Sequence, residues 1–306
     1  MALNNLNIRT KLLIVGILNV AVFNFLFIDI TSQLYVFGII ILLTGVPHGA
    51  LDLFLDKQQR INEGLTFSKN FFLLKYALKM IVYGISWYFF PMFSLFFFIL
   101  ISAVHFGEID CVILPQKLKT KVFVFCYGLQ IILFIILAHL DQTAKIISFL
   151  LPNLGHLPTL IYYGEQVFFI VSITLLVSLV LIITYHYFNK TFKTALNSFL
   201  IQTIVLLIVI YFLPFYLGFT FYFGLWHSFL SFDVIKQKLQ IENSWLGWKQ
   251  LIIKALPYSL MAWMGLIVIM FLGTQKFSIS EIISYLFIGI AILTLPHLQV
   301  FSKSLK

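Results

Sequence analysis

Ten apolar segments, joined by short polar or charged links, dominate the 306-residue chain. They fall at 12–30, 34–51, 71–90, 92–107, 121–139, 160–185, 197–213, 215–232, 252–272 and 281–300. A helix needs about 20 apolar residues to cross a hydrocarbon layer, so most of these segments are long enough. Backbone groups in that layer must be hydrogen-bonded within the protein, which makes helix the expected element. Only 10% of the residues are charged and 61% are hydrophobic, with a mean hydropathy of +1.02. Soluble domains carry roughly 25% charged residues. A soluble enzyme, a disordered chain and a disulfide scaffold are thereby excluded. The expected fold is an all-α, polytopic transmembrane helical bundle of about ten spans, with residues 1–306 forming a single integral membrane domain.

Two pairs of segments are separated only near Pro91 and near Pro214. Proline removes an amide donor and disfavours helix at the residue before it, so a tight hairpin is expected at each. The basic residues test this parsing. Of the 20 Lys and Arg, all but Lys145 and Lys276 fall on one side of the membrane when ten spans are counted. The positive-inside rule then places both termini in the cytoplasm, as in a multi-pass protein of the cell inner membrane. Arg9 and Lys11 precede an apolar run, but no A-x-A-like cleavage site follows, so the run is expected to be a retained first span. The net charge of +9 is read as orientation rather than as a nucleic-acid patch. Cys111 and Cys126 are expected to be free thiols.

Four of the seven histidines stand out by position. His48 (TGVPHGALD), His105 (SAVHFGEID), His227 (YFGLWHSFLSFD) and His297 (LTLPHLQV) all lie toward the C-terminal ends of even-numbered segments. Those segments run in the same direction, so all four belong to one depth band near the cytoplasmic face. Ionisable groups at membrane depth are costly and usually face the bundle interior or a partner. Four imidazoles suffice to hold Fe(II), Zn(II) or Cu. His139, His156 and His186 are expected to be interfacial.

A histidine ligand normally passes its other ring N–H to a carboxylate, carbonyl or water. Asp52, four residues after His48, shares its face on a continuing helix. Glu108, three after His105, is placed to do the same, while Asp110 has a less favourable offset. Ser231, four after His227, is suited to hold a water. Phe106, Tyr222, Phe223, Trp226 and Phe229 put aromatic surface beside these polar stations and are expected to line a slot for a long apolar substrate. Gly45, Gly49, Gly107 and Gly224 permit close helix approach. There is no HExxH, GxSxG, Walker loop or clustered histidine box.

These segments resemble the Brp/Blh family of bacterial and archaeal membrane proteins, whose characterised members are 15,15′-β-carotene dioxygenases that make retinal for rhodopsins. The resemblance rests on TGVPHGALD, SAVHFGEID, FGLWHS and LPHLQV and runs from His48 to His297. It implies an Fe(2+) enzyme with His48, His105 and His227 as ligands, β-carotene and O2 as substrates, and a retinal-binding rhodopsin as a partner. Many members carry another histidine four residues after the aromatic-His-Ser histidine. Ser231 occupies that position here, and His297 is the expected replacement. The alternatives are a metal-ion or proton transporter using the same histidines, a membrane haem protein, and a non-catalytic carotenoid-binding protein.

Overall fold

The structure, a computed structural model, describes residues 7–26, 28–114, 119–151, 157–188, 193–274 and 279–305. Lys117, His156, Lys190, Lys276 and Lys306 lie outside the described residues, as does the side chain of His186. Among the described residues every regular element is helical. Six helical stretches are long and apolar enough to cross a membrane, or seven if the bent pair Lys121–Leu137 and Leu140–Leu150 is one span. Among the described residues, each of the ten apolar segments lies largely on helix. The segment at 71–90 falls short of the hydropathy of a span because it includes Lys75, Lys79 and several Tyr and Trp residues. The segment at 215–232 is diluted in the same way by Tyr, Trp, His and Ser.

The helices group into two units. The first comprises residues 1–40, 103–145 and 155–230. Here α1 (Ile8–Phe25) packs on α10 (Lys193–Phe212), and α7 (Lys121–Leu137) packs on α9 (Leu157–Phe188). The C-terminal half of α6 (Pro91–Asp110) lies so close to α7 that a Cβ on Gly107 would overlap the Val124 carbonyl. A Cβ on Gly128 would likewise overlap the Ala103 carbonyl. Glycine at both places lets the backbones touch, as small residues do in membrane helix pairs. The chain then runs through α11 (Phe215–Phe219) into a π-helical segment, Thr220–His227.

The second unit comprises residues 41–102, 146–154 and 231–306. It begins with a π-helical segment, Ile41–Gly45, followed by the short α3 (Val46–Gly49) and α4 (Asp52–Asn62). Helix α14 (Ile279–Leu305) packs against α4 and against α5 (Lys69–Phe89), while α13 (Trp245–Thr274) packs against α3 and α14. The break at Pro91 is a reversal. Tyr83 donates its hydroxyl to the Ser94 carbonyl at 2.9 Å, and the Tyr83 and Phe97 rings are 5.7 Å apart. Eleven residues of straight helix would span about 16 Å. Along α13 an exposed stripe of Ile252, Leu256, Leu260, Met264, Ile267 and Phe271 runs at helical spacing. So long an apolar face suits lipid rather than water.

Arg9, ahead of the first apolar run, is buried. Its guanidinium donates to the Ile109 carbonyl at 2.9 Å and lies over the Trp226 ring, 5.5 Å from the centroid. Those partners replace water around the charge. Cys111 is buried, whereas Cys126 is exposed, and both are free thiols.

Candidate metal centre

In the second unit the local backbone is unusual just where a histidine is needed. Pro47 cannot donate an amide hydrogen and its ring crowds the preceding turn. The turn ahead of it is widened into the π segment Ile41–Gly45. The Leu42 carbonyl in this widened turn accepts the Trp263 indole N–H at 2.9 Å. Proline also sits inside α14, at Pro296, immediately before His297. The two Pro-His pairs bring His48 and His297 together, with ring centroids 4.9 Å apart and planes at 76°. Both side chains are buried.

The second nitrogens have acceptors. His48 Nδ1 lies 3.3 Å from the Thr44 carbonyl oxygen, and His297 Nδ1 lies 2.8 Å from Asp52 Oδ1. A backbone carbonyl or an ionised carboxylate oxygen can only accept, so in both rings Nδ1 is the nitrogen that donates. Asp52 also accepts the Tyr76 hydroxyl at 2.9 Å on Oδ2. Asp52, expected beside His48, is hydrogen-bonded to His297. α3 ends at Gly49, and Ala50 and Leu51 form a turn, both with helical backbone angles, before α4 begins at Asp52.

In the first unit, His105 on α6 and His227 at the end of the π segment pair in the same manner. Their centroids are 4.7 Å apart and their planes meet at 72°. Phe106 packs at 4.7 Å from the His227 ring, and Phe223 stacks on it at 5.8 Å and 13°. The π segment Thr220–His227 is widened, and its Phe223 carbonyl accepts the Ser228 hydroxyl at 2.8 Å. π-Helical segments are rare and occur frequently at functional sites.

Each pair can be tested against a metal. Two imidazoles on one metal at about 2.1 Å would put their centroids about 4.6 Å apart at a right angle and about 5.3 Å apart at the tetrahedral angle. The spacings of 4.7 and 4.9 Å fit that range, pair by pair. The four histidines that share a position in their segments are therefore buried as two pairs, one in each unit.

The five aromatics expected to form a slot divide. Phe106 and Phe223 pack on His227, and Phe229 is half-buried. Tyr222 and Trp226 are completely buried and turn their polar edges to Asp110. The Tyr222 hydroxyl donates to Asp110 Oδ2 at 3.0 Å, and the Trp226 indole N–H donates to Oδ1 at 2.8 Å. Spacing from His105 had set Asp110 aside. The cost of a carboxylate deep in an apolar helix is the signal that marks it as partnered. Glu108 is half-buried, Ser231 is buried, and the His139 ring lies against Phe215. Tyr76 and both π segments carried no sequence signal.

A helical membrane protein with buried histidines suited to hold a metal is the class that fold and side chains define. Within that class the chain belongs to the β-carotene 15,15′-dioxygenase family, whose profile matches residues 39–303. It is similar to the β-carotene 15,15′-dioxygenase of Uncultured marine bacterium 66A03, with 27% identity over 260 residues, covering 85% of this chain and 89% of that protein. No solved structure matches.

Proposed function

We propose that this chain is an iron-dependent β-carotene 15,15′-dioxygenase that cleaves β-carotene with O2 into two all-trans-retinal molecules. One oxygen atom goes to each new aldehyde, so no external reductant is needed. The observation that carries this reading is the family match across 39–303, which encloses His48, His105, His227 and His297, all buried. His48, His105, His227 and His297 are the residues that would hold Fe(II), with His297 standing in for the histidine absent at Ser231. When bound, Fe(II) supplies activation of O2. Asp52 and the Thr44 carbonyl hold the Nδ1 protons of His297 and His48, which aims each Nε2. Phe106, Phe223 and Phe229 form the apolar wall for the polyene, and Tyr222 and Trp226 back that wall. The substrate has almost no aqueous concentration, so it enters sideways from the lipid.

The chain acts as one integral membrane domain of the inner membrane, with about ten spans and both termini in the cytoplasm. The distribution of Lys and Arg supports this. Its product serves a retinal-binding rhodopsin.

Expression in β-carotene-producing cells, with product analysis and iron measurement, tests the proposal. Retinal formation with bound iron is the expected result. Colour loss without retinal would overturn central cleavage, and metal flux into liposomes without carotene loss would favour a transporter.

A further inference from the structure

Within the first unit, α6 and the π segment are tied at two levels. One is the His105–His227 pair. The other is Asp110, five residues after His105 and therefore about 7.5 Å further along the helix. Asp110 is 1% exposed, and its two carboxylate oxygens accept from two residues four apart on the π segment, Tyr222 and Trp226. Arg9 reinforces the second contact from α1, donating to the Ile109 carbonyl and covering the Trp226 ring. Trp226 directly precedes His227.

A π segment has a wider turn than an α-helix and is held by less regular internal bonding. Phe106 and Phe223 pack on His227 through aromatic faces, which set its position by shape rather than by a directional hydrogen bond. An acceptor that binds two donors a turn apart resists both sliding and rotation.

We propose that Asp110 is a positioning residue. It fixes the register of the π segment on α6 so that the His227 imidazole meets His105 at the angle a shared metal requires. This rests on the reading of His105 and His227 as metal ligands. Asp110 itself touches neither ring; it acts through Tyr222 and Trp226. Loss of either donor alone should therefore disturb the metal geometry, even though neither donor is a ligand.

The test uses the purified full-length protein in nanodiscs, with Co(II) as the probe and its visible absorption as the readout. Asp110→Ala is expected to weaken Co(II) binding about 10-fold, the low end of the range for groups bonded directly to metal ligands, and to shift the absorption bands. Asp110→Asn keeps one accepting oxygen and should fall between wild type and Asp110→Ala. Tyr222→Phe removes a single hydroxyl and should shift the bands while helicity stays at the wild-type level. Wild-type affinity and spectrum in both Asp110→Ala and Tyr222→Phe would overturn the proposal. If Asp110→Ala melts early or misfolds, Tyr222→Phe decides, and an unshifted spectrum there overturns it. His227→Ala must lose Co(II) binding. A wild-type protein that binds no Co(II) would instead sink the metal reading itself, a result distinct from equal binding by wild type and Asp110→Ala.

Discussion

His297 donates its Nδ1 proton to Asp52 across 245 positions of sequence, at 2.8 Å, and both groups are buried. Tyr76 holds the other carboxylate oxygen at 2.9 Å. Three helices, α14, α4 and α5, thus meet at one carboxylate. Each of them contributes a different part: the imidazole, the acceptor that orients it, and the hydroxyl that orients the acceptor.

Replacing Asp52 should therefore act on metal affinity. Asp52→Ala is expected to lower iron retention about 10–100-fold, as for other outer partners of metal ligands. Asp52→Asn keeps an accepting oxygen for Nδ1 and should lose less. Iron per protein after a defined wash, compared at equal membrane yield, measures the difference.

The departure at Ser231 makes a discriminating pair of variants. His297→Ala should abolish iron retention and retinal formation, as should His48→Ala, His105→Ala and His227→Ala. Ser231→Ala should keep retinal formation within about threefold of wild type, a change under 1 kcal/mol at about 1.4 kcal/mol per factor of ten. The reverse ranking of His297→Ala and Ser231→Ala, read by retinal yield per cell, would remove His297 from the ligand set.

The contact of α6 with α7 depends on Gly107 and Gly128, where a Cβ would overlap the backbone of Val124 and Ala103. Gly107→Ala or Gly128→Ala forces the helices apart. Overpacking of this kind typically destabilises by about 1–3 kcal/mol. Because α6 carries His105, the melting temperature in detergent and the iron content should fall together.

Chelation should strip activity without unfolding the protein. Treatment with a membrane-permeant Fe(II) chelator is expected to abolish retinal formation while leaving helicity by circular dichroism unchanged. Added Fe(II) should restore turnover, whereas Zn(II), which has no redox chemistry, should not. Retinal formation that survives complete iron removal would exclude the metal role.

The site was partly legible because two rules act on the linear chain. An imidazole at membrane depth is costly wherever the segment lies, so the common position of His48, His105, His227 and His297 in their segments marked them without knowledge of packing. The same cost argument extends to Asp110, yet helical spacing from His105 pointed away from it. Spacing describes one helix, whereas the partners of Asp110, Tyr222 and Trp226, come from a segment more than a hundred residues distant. Asp52 makes the same point: helical periodicity placed it beside His48, and its hydrogen bond goes to His297 on a helix distant in sequence.

Apolar length, charge distribution and the histidine positions are properties of each segment alone, so they established an all-helical membrane protein and its four buried imidazoles. Helix rotation, the π-widened turns and the partner of each nitrogen were settled by side-chain packing between distant segments. Hydrophobicity drives a segment out of water but has no direction, whereas hydrogen bonds and van der Waals contacts select one rotation and one register.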